Sequence, residues 1–265
     1  YIKWDMNRSI TECYSVALPA DRQGEVFHRY ILGVYDLYER LTSEFPEVLF
    51  ESCSSGGGRF DPGMLYYAPQ GWTSDDSDAI ERLKIQYGTS LCYPISSMGS
   101  HVSVIPNHQV FRKTPLHTRA NVAYFGTFGY ELDLNSLKEE EIAEVKEQII
   151  FMKKYRKLFQ FGDFYRLKSP FEGNETIWMV VSEDKKTAIV GYYRTLNGVN
   201  QAYSRIKLQG LDPDMLYENI LNKTENYGDE LMNFGLITTD VTAGEVPGDA
   251  TPCTDFESRI YILKA

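Results

Sequence analysis

Charged and polar side chains collect at four places where a strand-forming run of this sequence ends. Lys3 and Asp5 stand two residues apart in the run YIKWD, so a cation and a carboxylate would share one face of a strand. Further polar clusters occupy 53–59, 72–78 and 101–108. In a parallel β/α barrel the carboxyl ends of the strands form the mouth in which active sites lie. The pattern favours a catalytic site, although polar residues also gather at strand ends that have no catalytic role.

Two carboxylates on different strand ends are what the cleavage of a glycosidic bond requires. Asp5 and Asp75 are the candidates, one as proton donor and the other as nucleophile or base, with Trp72 as an apolar platform. A nucleophilic carboxylate must stay ionised, which the neighbouring Lys3 would favour. The acid must have its pKa raised by burial or by a nearby negative charge, which Asp76 and Asp78 could supply.

Several of these residues have a second interpretation. Asp76 and Asp78 precede a predicted helix, and for Asp78 we favour helix capping, because Glu81 follows it at capping-box spacing. The loop SSGGGR lacks the Lys-Ser/Thr ending of a phosphate loop, so close approach of its backbone to a sugar is the better interpretation. Cys53 could act as a nucleophile only with a partnered histidine.

The two candidate histidines, His101 and His108, lie in a different segment from Cys53. A packed or ligand-contacting thiol is therefore the preferred interpretation. The histidine pair has no carboxylate at a usual metal-ligand spacing, so we expect ordinary hydrogen bonding and no metal.

Composition limits the class of partner. The 265 residues are 43% hydrophobic and carry a net charge of −10, which disfavours nucleic acid and anionic membranes as partners. No apolar run is long enough to span a membrane. The four cysteines are widely spaced and form no CxxC pair, which favours a reduced, cytoplasmic setting.

The periodicity predicts two domains. Apolar residues recur at helical spacing over 25–41, and strand-like runs alternate with helices, giving about five strands before residue 159. Runs of β-forming residues with polar turns dominate from 161. The expected fold class is α/β, with part of a (β/α)8 TIM-type barrel over 1–160 and an antiparallel β-sandwich over 161–265.

Three local predictions can be tested against the structure. The run LYYAPQGW and the run NVAYFGTFGYEL are both predicted to be strands. Ser136 and Glu139 have capping-box spacing, which predicts a helix from Leu137 to about Leu158.

Five ordered motifs resemble the α-galactosidases of glycoside hydrolase family 36. They are KWDMNR, ESCSSGGGRFDPGMLYY, WTSDDSDAIERLKIQYG, MGSHVS with PNHQ, and FGYELDL; RIKLQGLD and YGDELMNFG extend the likeness into the β-rich part. The resemblance implies a retaining hydrolase that removes terminal α-linked galactose from melibiose, raffinose and stachyose, without a metal or an organic cofactor. It also implies a longer, homo-oligomeric parent enzyme.

The resemblance assigns roles to individual residues. Asp5 would be the nucleophile and Asp75 the acid/base, with Asp76 as a less favoured acid. Substrate contacts would come from the following residues: Lys3, Asn7, Cys53, Ser55, Gly56, Trp72 and Asp76. Ser55 departs from the pattern, because many relatives carry glycine there, and its side chain could narrow the pocket.

The length of the chain is a second departure from the family pattern. An eight-stranded barrel takes about 250 residues, whereas only the first 160 residues are available for it here. We therefore expect a C-terminal part of a longer enzyme with an incomplete substrate pocket. The alternatives are a non-catalytic or carbohydrate-binding piece, and a related transglycosidase or α-N-acetylgalactosaminidase.

Overall fold

The structure is a computed structural model that describes residues 1–6, 11–199, 204–238 and 255–265. The chain divides into two compact units, one of residues 1–75 with 97–99 and one of residues 76–96 with 100–265. The elements of the first 162 residues are β1 Ile2–Asp5, α1 Val26–Glu44, β2 Phe50–Cys53, α2 Pro62–Tyr67, β3 Gln70–Gly71, α3 Ala79–Ser90, β4 Gly99–Ser103, α4 Leu116–Ala123, β5 Thr127–Glu131 and α5 Glu139–Phe161.

The remaining elements are mostly strands. They are β6 Asp163–Lys168, β7 Glu175–Val181, β8 Thr187–Arg194, β9 Arg205–Ile206, β10 Leu216–Asn219, β11 Glu225–Tyr227, α6 Gly228–Asn233, β12 Leu236–Ile237 and β13 Glu257–Lys264. Both helices and strands therefore build the first part of the chain, and strands dominate the second.

The first unit is built on a parallel sheet in the order β1-β2-β3. One face of this sheet packs on α1, where the ring centroid of Tyr38 lies 4.6 Å from that of Trp4 and 5.6 Å from that of Phe50. Met64 of α2 completes this buried cluster. The helix predicted over 25–41 is observed and ends at Glu44, because a residue directly before a proline is disfavoured in helical conformation. Strand, helix and strand follow one another here as predicted.

The first three residues of the run LYYAPQGW are the end of the helix α2, so the strand prediction was wrong there. Asp61 accepts a hydrogen bond from the Met64 N–H at 2.9 Å, and Pro62 takes the first helical position. An aspartate followed by proline is a typical helix start, and this signal outweighs the β propensity of the tyrosines. Only Gln70–Gly71 of this run forms a strand.

The start of the run NVAYFGTFGYEL is likewise helical, as the end of α4. Leu116, Ala120 and Ala123 are buried at a spacing of four and three residues, which is the spacing of one helical face. The strand β5 begins only at Thr127 and pairs with β4. Five strands thus precede residue 159 in the described part of the chain, as expected.

The long helix α5 begins two residues later than predicted. The side chain of Glu141 accepts the backbone N–H of Lys138 at 2.9 Å, while the Ser136 hydroxyl donates to the Asp133 carbonyl. The cap predicted at Ser136 was therefore wrong. Neither α5 nor any other described helix combines the length and apolarity that crossing a membrane needs.

The second unit contains a six-stranded antiparallel sheet in the order β11-β10-β13-β8-β7-β6. Every residue of β7 is buried, so both faces of this central strand are covered. The strands β9 and β12 pair with each other in a separate two-stranded sheet. Ile206 of β9 and Leu236 of β12 pack into the core on one face of the six-stranded sheet. The indole N–H of Trp178, a residue of β7, donates to the hydroxyl of Tyr193 on the neighbouring strand β8 at 3.0 Å. The antiparallel sheet predicted for this region is confirmed.

Leu263→Ala is expected to lower the free energy of unfolding of this unit by about 2–5 kcal/mol. The side chain of Leu263 is 1% exposed and packs in the core that the six-stranded sheet shares with β9 and β12. Shortening it to alanine leaves a cavity in this core. Equilibrium urea unfolding measures the change. Leu221→Ala is the matched control, since Leu221 is 54% exposed and should change stability by no more than about 0.5 kcal/mol. Equal effects of the two substitutions would contradict this packing.

Candidate active site

One face of the parallel sheet is polar. Lys3 and Asp5 of β1 lie in register with Glu51 and Cys53 of β2, respectively. Because side chains alternate along a strand and residues in register point the same way, these four side chains share the face opposite α1. The face that would normally hold apolar packing therefore presents two carboxylates, an ammonium and a thiol.

The Cys53 thiol donates a hydrogen bond to the Asp5 carboxylate. Burial, followed by this bond, raises the pKa of the Cys53 thiol to about 11, although the Gly56 backbone and the Lys3 charge act in the opposite direction. The thiol is therefore protonated at neutral pH, and the interpretation of Cys53 as a nucleophile is disfavoured. Cys53 instead fixes one side of the Asp5 carboxylate.

The Lys3 ammonium lies between a carboxylate and an indole. Its Nζ is 3.5 Å from Glu51 Oε1 and 4.4 Å from the centroid of the Trp72 ring. Trp72 is 4% exposed, and its backbone N–H donates to the Ser52 carbonyl at 2.9 Å. A Cβ at Gly99 would lie only 2.7 Å from the indole, so glycine makes room for this ring. Trp72 thus lies in the sheet surface beside Lys3.

The glycine-rich loop after β2 contacts the segment that leads to Asp75. Gly56 has φ of +80°, and a Cβ there would lie 2.6 Å from the Ser74 Cα, so only glycine fits. Ser54 Oγ donates to the Met6 carbonyl at 2.8 Å. Ser55 is exposed with φ of 46°. The loop therefore links the end of β1 with the segment after β3.

Arg59 holds the ends of two strands together. Its guanidinium donates to the carbonyls of Trp4 at 3.2 Å and of Cys53 at 2.7 Å. Arg59 is 7% exposed, so these bonds lie away from solvent. Asp5 thus sits on a strand end whose backbone is fixed from the loop side.

Asp5 and Asp75 both belong to the first unit; Asp5 is the last residue of β1, and Asp75 lies in the segment that follows β3. Both carboxylates are exposed. Asn7, which was predicted to contact substrate, lies outside the described residues.

Asp76 and Asp78 belong to the second unit. The Asp78 carboxylate caps α3 by accepting the N–H groups of Ile80 and Glu81, both at 3.1 Å, and it also accepts a hydrogen bond from Arg112. The capping interpretation of Asp78 is confirmed. The Asp76 carboxylate accepts the Asp78 N–H at 3.0 Å, which supports the same helix start. A role of Asp76 in substrate binding remains a prediction.

The sequence alone did not predict a role for Glu51 on the polar sheet face or for Arg59 in the loop after β2. The alternation in FESC places Glu51 on the face of Cys53, so the period of two could have identified it. Arg59 ends the polar cluster 53–59, but its contacts are to backbone carbonyls, and no sequence pattern reveals such contacts. Among the described residues, no three or more His, Cys, Asp and Glu side chains form a group that could hold a metal.

Comparison with known families decides the relationship. The family model described as melibiase matches residues 1–162, and the model of the glycosyl hydrolase family 36 C-terminal domain matches residues 175–263. The chain belongs to glycoside hydrolase family 36, the melibiase family. The resemblance inferred from the five motifs is therefore confirmed.

Individual members of the family are similar over the whole chain. The α-galactosidase AgaA of Geobacillus stearothermophilus is 58% identical over 100% of this chain, and α-galactosidase 1 of Pediococcus pentosaceus is 49% identical over 100%. The chain spans 35% of the length of each. The crystal structure of AgaA matches 99% of this chain and 35% of its own with a TM-score of 0.91 at 54% identity. Variants of AgaA have been crystallised with raffinose and with stachyose.

Asp5→Ala is expected to lower the pKa of the Cys53 thiol from its value of about 11. The substitution removes both the hydrogen-bond acceptor and the negative charge that favour the protonated thiol, while burial still keeps the pKa above its usual value. The rate of alkylation by iodoacetamide as a function of pH reports the change. The titration compares the Asp5→Ala protein with the protein that retains Asp5. In both of them the other cysteines, Cys13, Cys92 and Cys253, are replaced by serine.

Asp36→Ala serves as the control for this titration. Asp36 is an exposed carboxylate of α1 that pairs with Arg40, so its removal should leave the Cys53 titration in place. An alkylation profile that does not move in Asp5→Ala would show that the thiol and the carboxylate are not in contact.

Proposed function

We propose that this chain carries the catalytic pair of a retaining α-galactosidase that releases terminal α-linked galactose from melibiose, raffinose and stachyose. The observation that carries the proposal is the polar sheet face, on which Asp5 is held beside Lys3 and Cys53 in a region matched by the melibiase family. The substrate class is supported by the similar enzyme AgaA, variants of which have been crystallised with raffinose and with stachyose.

In the proposed mechanism Asp5 attacks the anomeric carbon while Asp75 gives its proton to the leaving oxygen. The bond between this carbon and the leaving oxygen breaks as the bond to the Asp5 carboxylate forms. Asp75, now ionised, takes a proton from water, and the resulting hydroxide displaces the Asp5 carboxylate from the sugar. Two displacements at one carbon retain the α configuration, and the carboxylates return to their initial states.

Substrate contacts in this proposal come from the polar sheet face and from the segments that follow β2 and β3. Lys3 donates to galactose hydroxyls, the Cys53 thiol faces the sugar beside Asp5, and Trp72 offers its ring as a flat wall. Gly56 lets the loop backbone approach the sugar, and the exposed Ser55 narrows the entrance. Two further polar contacts, Asn7 and Asp76, are proposed from the motif resemblance alone, since Asn7 lies outside the described residues and Asp76 belongs to the second unit.

We also propose that residues 1–160 form part of a (β/α)8 barrel and that 161–265 form a β-sandwich. Support comes from the parallel order β1-β2-β3 with a covering helix, and from the core that the six-stranded sheet shares with β9 and β12. The limits of the two family matches, 1–162 and 175–263, agree with this boundary. The length of the relatives supports the proposal that the chain acts as part of a longer enzyme.

A cytoplasmic location and a homo-oligomeric enzyme complete the proposal. The described cysteines, Cys13, Cys53 and Cys92, are free thiols, which is typical of a reducing compartment. Apolar side chains exposed at and just before the edge strand β1, Ile2 and Tyr1, would be covered by further strands of the longer enzyme, and exposed apolar side chains elsewhere, such as Phe27 and Leu32 of α1, are available for contact with another subunit. Sedimentation of the longer enzyme measures its subunit number.

Galactose release from raffinose tests the function. The longer polypeptide, with this chain as its catalytic portion, should release galactose, whereas this chain alone should be far less active because part of the pocket is supplied elsewhere. Binding of galactose without turnover by both proteins would favour a carbohydrate-binding piece. Preference for N-acetylgalactosaminides, or transfer in place of hydrolysis, would favour the related activities.

A further inference from the structure

Glu51 is a buried carboxylate on the polar face that the proposed mechanism does not use. It is 3% exposed and lies in β2, two residues before Cys53 and in register with Lys3. Burying a carboxylate is unfavourable unless its oxygens find hydrogen-bond donors or a cation. The partners of its two oxygens therefore indicate what the side chain does.

The two carboxylate oxygens have different surroundings. Oε2 accepts hydrogen bonds from the Tyr1 hydroxyl and from the Gln70 amide, the latter at 3.2 Å. Oε1 is buried, and no donor among the described residues hydrogen-bonds it. The cation that approaches Oε1 is the Lys3 ammonium, at 3.5 Å. One oxygen thus anchors Glu51 in the sheet, and the other faces Lys3.

The Lys3 ammonium is held from two sides. Glu51 attracts it from β2, and the indole of Trp72 attracts it through a cation–π contact at 4.4 Å. The Lys3 side chain is still 39% exposed. An ammonium has three N–H donors, so a head group oriented by Glu51 and Trp72 retains donors for a ligand on the open side.

We infer that Glu51 is a positioning residue, which orients the Lys3 ammonium for the galactose hydroxyls and draws it away from the Asp5 carboxylate. The inference rests on the proposed function and deepens it. Lys3 and Asp5 share one strand face, and a flexible ammonium without Glu51 would turn toward Asp5. Glu51 acts only through Lys3 and does not touch the reacting atoms.

Glu51→Gln in the longer enzyme tests the inference. Glutamine keeps the shape and can still accept from Tyr1, but it removes the charge that holds Lys3. The KM for an aryl α-galactoside should rise about tenfold with a much smaller change in kcat, because a ground-state sugar contact is misaligned. Glu51→Asp keeps the carboxylate but shortens the side chain by one methylene, so its KM should lie between those of the unsubstituted enzyme and of Glu51→Gln. It tests the same geometry if the Glu51→Gln protein does not fold.

A double-mutant cycle with Lys3→Gln separates positioning from general stability. If Glu51 acts through Lys3, Glu51→Gln should raise KM no further in the Lys3→Gln protein. An unchanged KM in Glu51→Gln, or the same additional loss with and without Lys3, would overturn the inference. Glu47→Gln, a charge removal at an exposed site of the same unit, should leave both constants unchanged. Absence of activity in the unsubstituted enzyme would instead refute the proposed function.

Discussion

Replacing Asp5 with alanine is expected to lower kcat for an aryl α-galactoside by roughly 10⁴-fold or more. Without the carboxylate, no covalent galactosyl intermediate can form, and a good leaving group cannot compensate for a missing nucleophile. The measurement is steady-state release of the phenol by the longer enzyme carrying the substitution. External azide should restore part of the rate, because a small anion can enter the vacated space and attack the anomeric carbon.

The control for Asp5→Ala is the removal of another carboxylate from the same unit. Asp36→Ala removes an exposed charge of α1 and should leave kcat within about twofold, as expected for a surface substitution. If Asp5→Ala retained most of its turnover, the nucleophile would have to be another residue.

Asp75→Ala is expected to discriminate between substrates by their leaving groups. Turnover of raffinose should fall by about 10²–10⁴-fold, the usual contribution of a general acid. An aryl α-galactoside with an acidic phenol should lose much less in kcat/KM, because its leaving oxygen departs without protonation. Measuring kcat/KM for both substrates with the same enzyme preparation gives the ratio of the loss for raffinose to the loss for the aryl α-galactoside.

Asp76→Ala is the matched control for this ratio. Asp76 neighbours Asp75, but its carboxylate accepts the Asp78 N–H at the start of α3. Its removal should therefore affect both substrates by a similar factor, because neither its support of the helix start nor its proposed contact with the sugar depends on the leaving group. Equal losses for raffinose and the aryl galactoside in Asp75→Ala would exclude Asp75 as the proton donor.

The sequence predicts the polar sheet face because the period of a strand is two. Lys3 and Asp5 had to share one face of β1, and β1 pairs in parallel with β2 as the strand and helix alternation implied. What the sequence could not supply is the register, which brings Lys3 opposite Glu51 and Asp5 opposite Cys53. Register depends on packing against α1, which is a tertiary property.

Local signals that compete explain the errors in the fold. Tyr66 and Tyr67 favour a strand by type, but Asp61 and Pro62 start a helix before them. The end of α4 continues toward β5 through a segment that contains no proline or charged residue, so the sequence does not mark the boundary between helix and strand. In both places, capping and helical spacing outweighed β propensity.

The candidate site was predictable only in part, for a related reason. Residue types and motif order single out Asp5, Asp75, Lys3 and Trp72 as candidates, since these are recognisable by chemistry, and the motif resemblance adds Cys53. The proposed role of the Cys53 thiol depends on its burial beside Asp5, and the proposed role of Glu51 depends on a cation on a neighbouring strand. Such roles arise from contacts between strands that are distant in sequence.

The most direct test of the account is to trap the covalent intermediate. Asp75→Ala enzyme is mixed with an activated aryl α-galactoside, quenched in acid, digested and analysed by tandem mass spectrometry. Without its general base the enzyme should accumulate the intermediate, and the fragment spectrum should place one galactosyl group on Asp5. A galactosyl group on any other residue, or rapid turnover with no labelled peptide, would contradict the assignment of the two carboxylates.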